Sequence, residues 1–178
     1  STLWQSDERL WTSAIARGAD GPIARNYYAN YLESQNRLPD AEREYRESLR
    51  RNPGFGDSAF GMASVLNKQG RFAESAEAFT HAATIQANPA PALQMLGIIS
   101  ISRLNKPREA IAAFRAAVEV TEARGNPERT GRPYLLLAAA LGQGGDEAAA
   151  VPLLKKAAEF ADTRGEAEGH LRSLGLMR

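Results

Sequence analysis

Residues 70–79 read GRFAESAEAF, and this stretch is the clearest copy of a pattern that recurs along the chain. The other copies are residues 36–45, 105–114 and 145–154, so the pattern returns about every 34 residues. Each copy begins with Gly or Asn and ends with Tyr, Phe or Leu. A repeat of this period predicts an array of similar structural units, each packed on its neighbours.

Apolar residues at helical spacing flank each copy, and Gly, Asn and Pro interrupt them at regular places. This pattern predicts pairs of helices. The first pair follows Pro22 and is broken at residues 36–39; the later pairs are 56–68 with 72–86, 91–104 with 107–123, and 133–141 with 147–162. Shorter helices are expected at 7–17 and 166–174. No stretch alternates in the manner of a strand, so we expect an all-α fold.

Small residues occupy the same places when the helix pairs are overlaid. Every one of these places holds Ala, Gly or Ser: Ala29, Ala63, Gly97 and Ala138 in the first helices, then Ala41, Ser75, Ala110, Ala150, Ser48, Ala82, Ala117 and Ala157 in the second helices. Helix axes approach to about 8 Å only where the facing residues are small. Between the small sites lies one large residue, which is Tyr45, Phe79, Phe114 or Leu154. We expect it to fill the space between neighbouring pairs.

These positions are those of the tetratricopeptide repeat, a family that the chain resembles over residues 22 to about 165. The resemblance implies a right-handed α-solenoid of four repeats, at about 22–55, 56–90, 91–130 and 131–165. Residues 1–20 then form an N-terminal helix, as a half repeat or a cap, and residues 166–178 a capping helix. Asn36 and Asn105 stand where the family often has a turn glycine, a change that Asn tolerates because it adopts left-handed backbone geometry.

The composition excludes several classes of function. The chain has 178 residues, a net charge of +1 and no cysteine, so neither a strong field for nucleic acid nor a thiolate site is expected. No apolar run is long enough to cross a bilayer, and we expect no direct membrane insertion. The compartment stays open between cytoplasm and periplasm. The sequence starts at Ser1 without an initiator Met, and we expect it to be a fragment or a processed form.

No group of residues suggests catalysis, so we expect no enzyme activity, no cofactor and no metal. The histidines, His81 and His170, are far apart, and the glycine-rich residues 142–145 lack the Lys-Ser/Thr that follows in a phosphate loop. The charged residues 42–47 predict a solvated helix face with ion pairs three and four residues apart. Arg124, Arg129 and Arg132 could meet an anion along the third inter-repeat loop, but we expect a mobile loop with scattered charge.

The family resemblance places ligand contacts on the first helix of each repeat, which lines a concave wall. The residues of this chain at those positions are Asn26, Asn30, Glu33, Phe60, Ser64, Asn67, Lys68, Met95, Ile99, Arg103 and Leu135. We expect Asn26 and Asn30 to hydrogen-bond a peptide backbone. The apolar residues of the set would hold the apolar side chains of that peptide.

Family members that grip an acidic C-terminal tail carry Lys and Asn in the first repeat, Asn in the second, and Lys with Arg in the third. Asn30 matches this pattern, whereas the other places hold Asn26, Gly61, Ala92 and Leu96. The sequence therefore argues against binding of a carboxylate tail.

The sequence predicts a non-catalytic scaffold that binds a protein or peptide partner in the concave groove. One alternative is the recognition arm of a larger enzyme, for example a membrane glycosyltransferase-type protein whose catalytic region lies outside this chain. Another is self-assembly as a homo-oligomer, with Trp4, Leu10 and Trp11 of the N-terminal helix as the homotypic contact.

Overall fold

The computed structural model describes residues 9, 11–15, 17–18, 20–126 and 128–177. The chain divides into two compact units, unit 1 (residues 1–87) and unit 2 (residues 88–178). The described residues form helices and turns with no strand among them, so the predicted all-α class is confirmed.

Unit 1 contains two helix pairs. They are α1 (Pro22–Ser34) with α2 (Leu38–Arg51), and α3 (Gly56–Lys68) with α4 (Phe72–Ile85). The two helices of each pair pack on each other, α3 packs on α2, and α1 also touches α3. Residues 11–15 are helical as well, and Trp11 and Ile15 pack against the core around Tyr28, Leu32 and Tyr45.

Unit 2 contains α5 (Ala90–Ser102) with α6 (Pro107–Ala123), α7 (Arg132–Gln143) with α8 (Glu147–Ala157), and α9 (Arg164–Ser173). The prediction that α8 continues to residue 162 is wrong. Thr163, only 1% exposed, donates a hydrogen bond of 2.7 Å from its hydroxyl to the Ala157 carbonyl. This bond satisfies a carbonyl that the helix end leaves without an intrahelical partner, and it directs the chain into α9.

The small residues of the repeat pattern are all buried, as predicted. The large residues between them are buried too, with Tyr45 and Phe79 at 0%, Phe114 at 2% and Leu154 at 3% exposure. Two of the small residues are serines that bond to the backbone of their own unit. The Ser48 hydroxyl donates to the Pro22 carbonyl at 2.8 Å, and the Ser75 hydroxyl to the Ala63 carbonyl at 2.7 Å.

The turns inside the pairs have left-handed backbone geometry. Gly70 and Gly145 have φ of 79° and 83°, and Asn36 and Asn105 have φ of 58° and 53°. The prediction that Asn replaces the turn glycine in left-handed geometry is confirmed. No helix in the described part of the chain is both long and apolar enough to cross a membrane.

Candidate functional site

A groove of about 620 Å³ opens between α1 and α3 of unit 1. We call it the unit 1 groove. Its lining consists of Ile23, Asn26, Tyr27, Asn30, Glu33, Tyr45, Phe55, Asp57, Phe60, Gly61, Ser64 and Gln86. Five residues that the sequence proposes for ligand binding thus lie together around one depression: Asn26, Asn30, Glu33, Phe60 and Ser64.

One part of the groove is apolar and exposed. Ile23 is 60% exposed and Tyr27 55%. The Tyr27 ring stacks on the Trp11 ring, with centroids 5.7 Å apart and planes at 14°. Phe60 is half-buried and meets the buried Phe79 edge-on, with centroids 5.2 Å apart. These rings are held by packing, so they would lose little conformational freedom on contact with a ligand.

Asn26 is held by a chain of hydrogen bonds beneath the groove. Its amide donates to the Ser58 hydroxyl at 2.9 Å, the Ser58 and Ser48 hydroxyls lie 2.7 Å apart, and Ser48 donates to the Pro22 carbonyl. Asn26 is 6% exposed. Its amide therefore serves mainly to join α1, α2 and α3. Of the residues in this hydrogen-bond network, the repeat pattern of small residues includes only Ser48. Sequence reasoning therefore missed the network.

A second polar cluster surrounds the hydroxyl of Tyr45, whose ring is fully buried. This oxygen lies 2.5 Å from Asn30 Oδ1 and 2.8 Å from Glu33 Oε2. The Tyr45 hydroxyl has one proton, so it donates a hydrogen bond to only one of these oxygens at a time. Burial, together with the hydrogen bond to Glu33 and its negative charge, raises the pKa of the Tyr45 hydroxyl, which keeps its proton.

Glu33 has further partners at this cluster. Lys68 Nζ lies 2.8 Å from Glu33 Oε1, and the Ser64 hydroxyl donates to the same oxygen at 3.2 Å. The Glu33 side chain is 15% exposed, whereas Lys68 is 51% exposed. Lys68 thus reaches from the edge of the groove to neutralise a carboxylate that is mostly buried.

The opposite end of the groove presents hydrogen-bond acceptors. Asp57 is exposed in the first turn of α3, and Gln86 follows the end of α4. The Gln86 side-chain oxygen is buried without a hydrogen-bond partner, while its amide nitrogen lies 3.4 Å from the Gly56 carbonyl. The described lining contains the carboxylates of Glu33 and Asp57 but no Lys, Arg or His.

The remaining proposed ligand contacts lie elsewhere. Asn67 is half-buried on α3. In unit 2, Met95 is half-buried and Arg103 exposed, whereas Ile99 is 1% and Leu135 5% exposed. Leu135 belongs to the apolar core of unit 2. Ile99 and Leu135 offer almost no surface to a ligand, because packing covers them, and we leave both out of the site.

The N-terminal helix is only partly described. Trp4 and Leu10 fall outside the described residues, and Trp11 is half-buried against Tyr27. The homotypic contact that we expect through these residues is therefore not tested by the structure.

The expectation of a solvated charged face at residues 42–47 is wrong for two residues. Glu42 and Glu44 are 7% and 6% exposed, and each pairs with an Arg distant in sequence. Glu42 lies 2.8 Å from Arg71, and Glu44 lies 2.6 Å from Arg25. Burial favours the neutral acid, but the hydrogen bonds from Arg71 and Gln69 outweigh it and hold the pKa of Glu42 below its usual value.

The loop before α7 is held by a hydrogen bond within the loop and by bonds to Asp162, which lies between α8 and α9. The Asn126 amide bonds the Thr130 carbonyl at 2.9 Å, and the Gly131 N–H donates to Asp162 Oδ1 at 3.0 Å. The Thr130 hydroxyl donates to the other oxygen of Asp162 at 2.5 Å. Our expectation of a mobile loop did not anticipate these bonds.

In the described part of the chain, no group of three or more His, Cys, Asp and Glu side chains is placed to hold a metal. His81 and His170 are both exposed.

Comparisons with known proteins agree with this architecture. The tetratricopeptide repeat family matches residues 8–54 and 29–91. No curated protein sequence matches the chain significantly. Among solved structures, MamA superimposes with a TM-score of 0.75 at 15% identity, covering 92% of this chain and 91% of MamA.

Two further structures show the same fold. PilF of Pseudomonas aeruginosa has a TM-score of 0.67 at 16% identity, over 96% of this chain and 91% of PilF. YrrB, described as a TPR protein with an unusual peptide-binding site, has a TM-score of 0.56 at 19% identity, over 91% of this chain and 97% of YrrB.

The family match and the shared fold support a general role as a protein-interaction scaffold. The repeat pattern, the buried small residues and the left-handed turns are all explained in the same way: residues 8–91 match the tetratricopeptide repeat family, and the chain shares the fold of solved proteins of that kind.

Proposed function

We propose that the unit 1 groove binds an extended peptide segment of a partner protein. The observation that carries this proposal is the meeting of exposed apolar side chains and polar groups in one depression between α1 and α3. The peptide-binding site described for YrrB, which shares the fold, lends support by analogy. The proposal assigns no catalytic step to the chain.

Binding would bury apolar surface on Ile23, Tyr27 and Phe60. Isolated exposed apolar residues are common on proteins, but here Ile23 and Tyr27 adjoin a preformed concave surface. The exposed Asn30 side chain lies beside them and can hydrogen-bond the backbone of an extended ligand. A short flexible peptide loses conformational entropy on binding, so we expect dissociation constants on the order of micromolar.

The test begins with a display selection of random peptides against the full chain. Selected peptides are then measured by fluorescence anisotropy against the wild type, Asn30→Ala and Phe60→Ala. We expect Phe60→Ala to weaken binding at least about tenfold, since truncation of an aromatic residue that anchors an interface costs about 2 kcal/mol or more. Asn30→Ala should weaken it less, because one hydrogen bond is worth about 1 kcal/mol.

Leu176→Ala is the matched control, because Leu176 is 52% exposed and does not line the groove. Circular dichroism would establish that each variant keeps its helix content. If the selected peptides bind all three variants as tightly as the wild type, the groove is not their site and the proposal fails.

A further inference from the structure

We infer that the peptide held in the unit 1 groove carries a Lys or Arg side chain, which binds between Asp57 and Gln86. This inference rests on the proposed function and adds the chemistry of the ligand to it. A basic peptide is the opposite of the acidic tail that the sequence argued against.

The first observation is the Asp57 carboxylate. Asp57 is exposed and lines the groove, and its carboxylate has neither a hydrogen bond nor an ion pair to any described residue. Glu33, the other carboxylate of the lining, differs because Lys68, Ser64 and the Tyr45 hydroxyl already bond to it. The negative charge that still lacks a partner therefore lies at the Asp57 end.

The second observation is the Gln86 side chain, which lines the same groove. Its Oε1 atom is buried with no hydrogen-bond partner. Gln86 packs directly on Gly56, the residue before Asp57: a Cβ at Gly56 would lie 2.7 Å from Gln86 Cγ. A buried acceptor without a donor is costly and rare in folded proteins, so this oxygen favours a ligand that brings an N–H group.

The third observation is the surroundings of these two acceptors. Phe55 and Phe60, both half-buried, line the same groove. Lys and Arg lay their methylene stems along apolar surface while the charged head bonds elsewhere. Of these two, Arg also offers several N–H donors in a fixed plane, so one guanidinium group could serve both a carboxylate and an amide oxygen.

The charges of the groove residues argue against an acidic or neutral ligand side chain at this place. No Lys, Arg or His belongs to the described lining, and Lys68 at its edge is already paired with Glu33. An acidic ligand side chain would meet Asp57 with no cation to compensate. A neutral one would leave the Asp57 charge unpaired. A basic side chain is thus the occupant whose charge complements the groove.

The experiment uses a peptide from the selection described above and two derivatives of it. They differ at one position, which holds Arg, the neutral isostere citrulline, or Glu. Each peptide is titrated against the full chain, Asp57→Asn and Glu77→Gln. Glu77 is the control because it is an exposed acid of unit 1 outside the groove lining.

We expect the Arg peptide to bind the wild type up to about fivefold more tightly than the citrulline peptide, as for an exposed ion pair worth up to about 1 kcal/mol. The Glu peptide should bind most weakly. Asp57→Asn should abolish the preference for Arg, Glu77→Gln should retain it, and added salt should reduce it.

The inference fails if the wild type binds the Arg and citrulline peptides equally, or if the preference survives in Asp57→Asn. In either case, binding that still depends on Phe60 leaves the proposed function standing. If the binding of every selected peptide is independent of both Asn30 and Phe60, the proposed function fails, and this inference fails with it.

Discussion

Replacing Gly61 by Ala should place a methyl group where the Tyr45 ring now lies. A Cβ built on Gly61 would be 2.4 Å from Tyr45 Cε1 and Cζ and 2.7 Å from its hydroxyl oxygen. Carbon atoms in contact are normally about 3.5–4.0 Å apart. The ring is fully buried and its hydroxyl bonds to Asn30 or Glu33, so a shift of the ring would disturb its packing and its hydrogen bonds.

Two opposing effects set the magnitude. Gly to Ala inside a helix stabilises a protein by about 0.5–1 kcal/mol. Overpacking a close-packed core costs about 1–3 kcal/mol. We therefore expect Gly61→Ala to lower the free energy of unfolding by up to about 2.5 kcal/mol. Gly169 in α9 is the control, since a Cβ there would meet nothing within 4 Å. Gly169→Ala should raise the free energy of unfolding by about 0.5–1 kcal/mol.

The assay is urea denaturation followed by far-UV circular dichroism, in the wild type and in a Tyr45→Leu background. Leu occupies the equivalent place of the fourth repeat, at Leu154. Without the aromatic ring, Gly61→Ala should become neutral or stabilising, which gives a coupling energy of at least about 1 kcal/mol between the two sites. The reasoning is refuted if Gly61→Ala stabilises both backgrounds as much as Gly169→Ala stabilises the wild type.

Two further predictions concern the ion pairs and the turns of unit 1. Because the pKa of Glu42 lies below its ordinary value of 4.5, folding favours the ionised form. The stability that the ionised Glu42 carboxylate contributes to the folded protein is therefore present above about pH 4.5. It is lost as the pH falls through the pKa that Glu42 has in the folded state. Glu42→Gln should lower the free energy of unfolding at neutral pH and flatten its decline in acid, measured by urea denaturation at several pH values; an unchanged pH profile would contradict the pairing with Arg71. In the turns, Gly70→Ala should cost about 1 kcal/mol because Gly70 has φ of 79°. Asn36→Gly should be neutral or slightly stabilising, because Asn36 has φ of 58°. Melting temperatures that fall equally for both substitutions would show that left-handed geometry does not decide these positions.

The fold could be predicted because its determinants repeat. A small residue at one place means little, but small residues at the same place in every pair indicate a close helix contact. The substitution of Asn36 and Asn105 for a turn glycine followed from the same comparison, since both residue types tolerate left-handed geometry. Local rules and periodicity were sufficient for this level of structure.

The burial of Glu42 and Glu44 could not be predicted in the same way. Their partners, Arg71 and Arg25, are 29 and 19 residues away and belong to other elements. A helical sequence shows partners three and four residues apart, and those pairs also exist, as between Glu42 and Arg46 at 2.5 Å. The local pattern was therefore correct, but it did not reveal that the same carboxylate also joins two repeats.

The site was partly predictable for a related reason. Family positions identify the helix face that lines the groove, and Asn30, Phe60 and Ser64 on that face do line it. They do not show how far neighbouring side chains cover each position. Ile99 and Leu135 occupy suitable positions and are nevertheless buried. Gln86 could not be found in this way, because it lies after α4 and reaches the groove only by packing on Gly56.

Tyr45 connects the core of unit 1 with its groove. Phe79, Phe114 and Leu154 fill the same repeat position without a polar group, so they can contribute packing alone. The Tyr45 ring does the same, but its hydroxyl reaches Asn30 and Glu33 in the groove lining. The tyrosine at this repeat position, in place of Phe or Leu, thus fixes the polar side chains of Asn30 and Glu33 at one end of the groove. Because packing holds the ring, that end is oriented before any ligand arrives, which reduces the entropy lost on binding.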